Sequence, residues 1–204
     1  MIEFLFSQYQ DYPNYLILLE LIAVTFGIVS VWFAKNNNIL VYPTGLVSTL
    51  IFVYILLEFQ LYGDLIINFY YSIMSVLGWY LWSRIKNGAD EFPISVMNKK
   101  DFIISVMIFI VTLLFVVFVY LFFDKFTDWT AYVDAFTTGL FFVGMWLMAK
   151  RKVENWILWI IADIISVPLY FHKGLTFSSL QFSIFTILAI LGYLEWKKRL
   201  HKPI

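Results

Sequence analysis

Seven uninterrupted apolar stretches, each close to the ~20 residues a helix needs to cross a bilayer, constrain this chain more than any other feature. They run at about 15–34, 39–58, 64–82, 102–123, 130–149, 155–171 and 176–196. Hydrophobic residues make up 62% of the chain and aromatics 21%, against about half apolar in a soluble domain, so one water-facing surface cannot enclose them. A spanning barrel would need period-2 apolar alternation, which these runs lack. Helices satisfy their own backbone hydrogen bonds in lipid, so the expected class is an all-α integral membrane protein with seven transmembrane helices.

The opening MIEFLFSQYQDYP has no basic stretch before an apolar core, so no cleaved secretory signal is expected. The first span then serves as its own insertion signal, and residues 1–12 are expected to form a short interfacial helix. The chain has no cysteine, which removes disulfides, thiolate nucleophiles, thiolate metal sites and haem attachment. No cofactor and no nucleic-acid partner are expected.

Net charge is zero, yet the basic residues are sorted. Lys35, Arg84, Lys86, Lys99, Lys100, Lys150, Arg151, Lys152, Lys197, Lys198, Arg199 and Lys202 fall on one side of the seven spans, and only Lys125 and Lys173 on the other. Basic loops stay cytoplasmic, which puts the N-terminus outside and the C-terminus inside a cell membrane.

Sliding the sequence against itself by 114 positions aligns Trp32 with Trp146, Gly78 with Gly192, Trp82 with Trp196 and Glu20 with Asp134, without a gap. Three spans, a linking span and three more leave both triplets entering from the outside, a 3+1+3 parallel repeat about an axis along the membrane normal. The expected division is an extracytoplasmic segment at 1–14, a first three-helix bundle at 15–82, a cytoplasmic loop and linker helix at 83–129, a second bundle at 130–196 and a basic cytoplasmic tail at 197–204. The linker FIISVMIFIVTLLFVVFVYLFF carries no charge and can face lipid. Gly88 and Pro93 break the preceding polar stretch, SRIKNGADEFPISVMNKKD, which reads as a loop rather than a domain.

Polar groups inside spans are costly unless paired or lining a wet cavity, so they mark candidate sites. Asp163 is the deepest acid, about 12 Å along its helix from Asn155. Trp156, Trp159, Asp163 and Tyr170 recur at i, i+3, i+7 and i+14, one helical face that could hold a flat, cationic, hydroxyl-bearing ligand. The alternative is aromatic packing with one interhelical hydrogen bond, and Trp156, near the inner boundary, could equally be an interface anchor. Asn68 and Gln181 offer amides to a polar ligand or to a neighbouring helix. Glu20 and Asp134, about 8 Å from the outer helix ends, suit a gate, a helix-end contact or snorkelling to the surface. These acids and Asp163 could each exchange a proton, which leaves coupling of the site to an ion gradient open. Pro43 and Pro168 interrupt the second and sixth spans and permit a kink or hinge. Trp32, Trp82, Trp146 and Trp196 fall at inner ends and read as an interfacial belt.

WxxWxxxD in the sixth span, followed by PLYFHKGL, resembles the PnuC family of bacterial nicotinamide riboside transporters. LYGDLIINFYYSIMSVLGWYLW resembles the same family's Tyr-x-Asp-x-x-x-Gln and Gly-Trp/Tyr…Trp pattern through Tyr62, Asp64, Gly78, Trp79 and Trp82, with Asn68 where the family often has Gln. Asp64 thereby joins the acids weighed as gate or structural groups. The resemblance runs from about Glu20 to Trp196. It implies a SWEET-like fold, a homotrimer in the bacterial inner membrane, and facilitated diffusion of nicotinamide riboside, a vitamin B3 precursor of NAD biosynthesis, trapped afterwards by a cytoplasmic kinase. It assigns Trp156 and Trp159 to stacking, Asp163 to ribose hydroxyls or the pyridinium charge, and Asn68 and Gln181 to polar contacts. Related members are specific for thiamine, riboflavin or deoxynucleosides.

Alternating access follows from the repeat, with one triplet rocking against the other around a midplane site. No GxxxxGK[ST] is present for nucleotide hydrolysis. An intramembrane metalloenzyme is disfavoured because His172 and His201 fall at opposite faces. The seventh span has no lysine for a retinal Schiff base. A non-transporting membrane receptor or scaffold is the residual alternative.

Overall fold

The computed structural model describes residues 13–58, 62–86, 88–124, 129–172 and 176–200, without the side chains of 62–64 and 176–178. The interfacial helix expected at residues 1–12 lies outside the described residues. Seven long helices follow in order: α1 Asn14–Lys35, α2 Val41–Glu58, α3 Tyr62–Trp82, α4 Lys99–Phe122, α5 Trp129–Ala149, α6 Glu154–His172 and α7 Thr176–Leu200. Each contains a window long and apolar enough to cross a membrane.

The helix ends have local causes. Helix α4 starts three residues before its apolar run because Asn98 and Asp101 form a reciprocal capping box, each side chain accepting from the other's backbone N–H. Helix α7 runs past the bilayer stretch to Leu200, its last turn holding Lys197, Lys198 and Arg199, cations that suit the negative end of a helix. Pro43 does not interrupt α2, contrary to expectation. It sits in the first turn, where a proline N–H would have no helical acceptor to lose. Pro168 does fall inside α6.

Two packed sets emerge, α1–α2–α3 and α5–α6–α7, with α4 lying against α5. They meet through α1 on α7 and α3 on α5. At the second contact Tyr70 stacks on Phe142 at 3.9 Å and donates its hydroxyl to the Phe142 carbonyl at 3.2 Å. Helix α5 is buried along most of its length, whereas α4 leaves Phe102, Val106, Ile110, Leu114 and Phe118 exposed, as a lipid-facing helix must.

Positions 114 apart repeat each other closely at the turns that end α1 and α5. Asn37 N–H donates to Ala34 O and Asn38 N–H to Phe33 O, both at 2.9 Å; Arg151 N–H to Met148 O and Lys152 N–H to Leu147 O match them, again at 2.9 Å. This is the Schellman ending, which requires a left-handed residue. Asn37 (φ 54) and Arg151 (φ 51) supply it. Arginine is a poor left-handed residue, with strain on the order of 1 kcal/mol, and its surroundings compensate. The Arg151 guanidinium, 4% exposed, pairs with Asp90 at 2.8 Å, donates to Phe92 O at 3.0 Å and lies 4.3 Å from the Trp82 ring centre. Burial presses its pKa below the ordinary arginine value, and Asp90 draws it back up.

These contacts order the loop before α4. It contains a small hairpin, β1 Ile85–Lys86 with β2 Ala89–Asp90, turning at Gly88 (φ 80). Ser95 then bridges to the α5–α6 turn through Ser95 N–H to Arg151 O and Val153 N–H to Ser95 O. Lys152 and Lys150 reach Asp101 at 3.1 and 3.6 Å.

Two of the four tryptophans expected in an interfacial belt are buried in the core instead. Trp32 is 49% exposed and Trp146 half-buried, each beneath a lysine, whereas Trp82 is 3% exposed and Trp196 0%. Both buried indoles cross between the sets. Trp82 Nε1 donates to Met148 O at 3.3 Å and Ala149 O at 3.2 Å, and Trp196 Nε1 donates to Ala34 O at 2.9 Å. Tyr42 stands edge-on to Trp82 at 5.0 Å and 89°; Trp156 stands edge-on to Trp196 at 5.5 Å and 89°. Gly78 and Gly192 make room for this layer, since a Cβ there would lie 2.1 Å from Tyr42 and 2.7 Å from Trp156.

Candidate functional site

Above that aromatic layer, a cavity of about 410 Å³ lies between the two helix sets and is walled by residues from all seven helices. A volume of this size suits a small aromatic ligand. Helix α6 contributes Trp159, Asp163, Ser166 and Tyr170, at i, i+4, i+7 and i+11, one helical face. Helix α7 faces it with Gln181, Phe182 and Phe185, and Phe182 packs 4.8 Å from Tyr170 and 5.9 Å from Phe141. The opposite wall mixes small and hydroxylated residues, Gly27, Ser30, Gly45, Ser48, Thr49 and Ser75, with the rings of Tyr42, Phe52 and Tyr71.

Ser30 and Ser48 already tie α1 to α2, donating to Val41 O at 2.8 Å and Ala23 O at 2.7 Å. Their oxygens keep acceptor capacity. Elsewhere in the wall the accounts do not close. Asp163 is 1% exposed and its Oδ2 has no hydrogen-bond partner; Ser166 Oγ and the Tyr42 hydroxyl are likewise buried and unpartnered. Buried polar atoms in native proteins are nearly always satisfied; with Trp159 Nε1 there are four unsatisfied ones around one cavity, and the three oxygens among them indicate where a polar ligand is received. The described wall carries two carboxylates, Asp163 and Asp134, and no Lys, Arg or His. Among the described residues no group of three His, Cys, Asp or Glu could share a metal ion.

Of the residues singled out from sequence, Trp159, Asp163, Tyr170, Asn68, Gln181 and Asp134 line this cavity. Trp156 does not. It is fully buried behind the wall, 5.9 Å from Trp159 at 73°, with its far edge on Gly192. Three residues along the helix from Trp159 is nearly a full turn, but the rotation directs Trp156 toward α7 and the core. Glu20 is half-buried on α1 and outside the wall, so the two acids 114 positions apart are placed differently. The Asp64 side chain lies outside the described residues. Tyr42, Tyr71, Ser75 and Ser166 were not singled out. Ser166 was readable as the next position on the Trp159–Asp163 face, and Tyr42 as the counterpart of Trp156 under the 114-residue shift.

A sequence model described as nicotinamide mononucleotide transporter matches residues 17–198. The chain belongs to this family of membrane transporters. Among curated relatives, the nicotinamide riboside transporter PnuC of Escherichia coli is 29% identical over 87% of this chain and 84% of its own. The riboflavin/roseoflavin transporter RibM of Streptomyces davaonensis is 28% identical over 60% of this chain and 58% of its own. The nicotinamide riboside transporter PnuC of Neisseria mucosa is 24% identical over 87% and 71%. The fold of this family member is similar to the crystal structure of the vitamin B3 transporter PnuC, with a TM-score of 0.67 over 98% of this chain and 91% of that one at 23% identity.

Proposed function

We propose that this family member carries nicotinamide riboside into the bacterial cell across the inner membrane, by facilitated diffusion with alternating access around the cavity between the helix sets. The observation that carries the reading is the α6 face, where a ring-bearing wall holds an unpartnered carboxylate oxygen and hydroxyl. Trp159 stacks on the pyridinium ring. Asp163 balances its charge or accepts from the ribose hydroxyls, with Ser166, Tyr42, Asn68 and Gln181 as further polar contacts. Trp156 backs Trp159 from the core.

The charge of the wall chooses between the names in this family. A mononucleotide adds a phosphate of about −1.5 to −2 charge, and no cation among the described wall residues offers it a partner in a poorly screened interior. A cationic riboside suits the same wall.

The 3+1+3 parallel repeat, with its SWEET-like layout, is supported by the matching turns, edge-on ring pairs and glycine seats at positions 114 apart. An outside N-terminus and inside C-terminus are supported by the basic residues gathered at one end of the helix sets. Trp82 and Trp196 close that inner end, and rocking must break their N–H bonds. A homotrimer is proposed from the resemblance alone. In proteoliposomes, labelled nicotinamide riboside should enter down its gradient and be competed by the unlabelled riboside but not by the mononucleotide. Uptake competed instead by thiamine, riboflavin or a deoxynucleoside would keep the carrier and overturn the substrate; no uptake of any would overturn the carrier.

A further inference from the structure

Trp159 reaches the cavity only because residue 144 has no side chain. A Cβ built on Gly144 would lie 2.1 Å from Trp159 Nε1 and 2.2 Å from Cδ1, far inside van der Waals contact. The contact is with a rigid ring edge, so neither a rotamer change at the tip nor a small shift relieves it. The pyrrole edge of the indole therefore rests on the backbone of α5. That explains why Trp159 Nε1 is buried and without a hydrogen-bond partner: this edge faces the helix, which leaves the ring face as the surface offered to a ligand.

The other half of the molecule shows the same seam filled differently. Under the 114-residue shift Gly144 corresponds to Ser30 and Trp159 to Gly45. There, Ser30 Oγ lies 2.9 Å from a Cβ built on Gly45, so the side chain comes from the first helix and the gap from the second. The volume is exchanged across the seam: serine against glycine in one half, glycine against tryptophan in the other. A Cβ built on Gly27 would likewise lie 3.1 Å from Ser48 Oγ, where the second set has Phe141 and Ala162 at the corresponding positions.

We propose that Gly144 is a positioning residue for ligand binding, acting through Trp159 by seating its indole so that the ring face forms the stacking platform of the cavity. This rests on the reading of the cavity as the nicotinamide riboside site. Gly144→Ala pushes the indole off its seat and into the ligand volume, or tilts it away from stacking geometry.

The test is a double-mutant cycle on the full-length protein in detergent, reading the dissociation constant for nicotinamide riboside alongside thermal stability. Gly144→Ala should weaken binding on the order of tenfold, within the range that a planar base stacked on an aromatic side chain contributes. Alanine removes both ring atoms that meet residue 144. In the Trp159→Ala background, Gly144→Ala should therefore weaken the residual binding by less than about twofold. A purely structural role would lower thermal stability and affinity by similar factors in both backgrounds, and that additivity would overturn the proposal. So would undiminished affinity in Gly144→Ala alone. If the unaltered protein fails to bind the riboside, it is the functional reading that fails, whereas normal wild-type binding with an additive cycle refutes only the role of Gly144.

Discussion

Replacing Trp196 with phenylalanine tests the inner closure directly. Its indole is 0% exposed and its Nε1–H donates from α7 to the last turn of α1, reaching Ala34 O at 2.9 Å. Ala34 O also accepts from Asn37 N–H at 2.9 Å, so the carbonyl is not orphaned and the loss stays near that of a single hydrogen bond. Between helices in a bilayer such bonds average about 0.6 kcal/mol and reach about 1.7. Shrinking a buried indole to a phenyl adds a void costing on the order of 1–2 kcal/mol. Together these give about 2–3 kcal/mol, or a fall of about 5–10 °C in melting temperature for a chain of this size. Trp32→Phe is the control: at 49% exposure it should move stability by no more than about 0.5 kcal/mol. The hydrogen-bond component also appears in gating. The chain has no cysteine, so Ser75→Cys in the cavity wall introduces the only thiol. Without the Trp196 bond, labelling of that thiol by an impermeant reagent from the cytoplasmic side should rise about 3- to 20-fold, the population shift expected of 0.6–1.7 kcal/mol. A melting temperature for Trp196→Phe no lower than that of Trp32→Phe, with unchanged labelling, would refute the closure.

Asp163→Asn keeps the shape of the wall and removes its charge; the riboside should bind about 10- to 100-fold more weakly, the cost of a charge-assisted contact, measured by titration calorimetry. Gly78→Ala drives a Cβ to 2.1 Å from Tyr42 and should cost at least about 2 kcal/mol, whereas Gly88→Ala, with nothing within 4 Å, should cost only about 1 kcal/mol from its φ of 80; melting temperatures rank the two. Asp101→Ala removes one arm of the α4 capping box and the acceptor for Lys150 and Lys152, and should lower stability by about 2 kcal/mol, an effect that high salt shrinks but does not abolish.

The helices were legible because lipid leaves few options: an apolar run of span length with at most one charge is read as a helix, and all seven occur within a few residues of the expected limits. Rotation about each helix axis was harder to read. Trp82 and Trp196 sit at inner ends, where an indole stabilises either a membrane interface or a core, and composition does not distinguish the two. The deciding fact is that Gly78 and Gly192 let Tyr42 and Trp156 approach and fill the layer beneath them. Trp156 looked equivalent to Trp159 because spacing alone allowed one wide face; only the position of α7 assigns one to the core and the other to the cavity. Pro43 was misread because the start of α2 at Val41 rather than Ile39 moves it into the first turn.

What distinguishes the two helix sets is as informative as what they share. Positions 114 apart agree where the frame is built: the left-handed turn residues, the edge-on ring pairs, the glycine seats and the indole N–H bonds crossing between sets. They disagree around the cavity, where Gly27, Gly45 and Thr49 correspond to Phe141, Trp159 and Asp163. Alternating exposure needs two halves that can close against each other in comparable ways, and a common frame provides that. For the ligand class proposed above, a flat ring joined to a hydroxylated sugar, the indole and carboxylate of α6 face the glycines and hydroxyls of α1 and α2. Divergence at these wall positions leaves the shared frame in place. It follows that substitutions on the shared frame should alter stability and gating for every ligand alike, while exchanges between corresponding wall positions, such as Gly45 and Trp159, should change which ligand is carried.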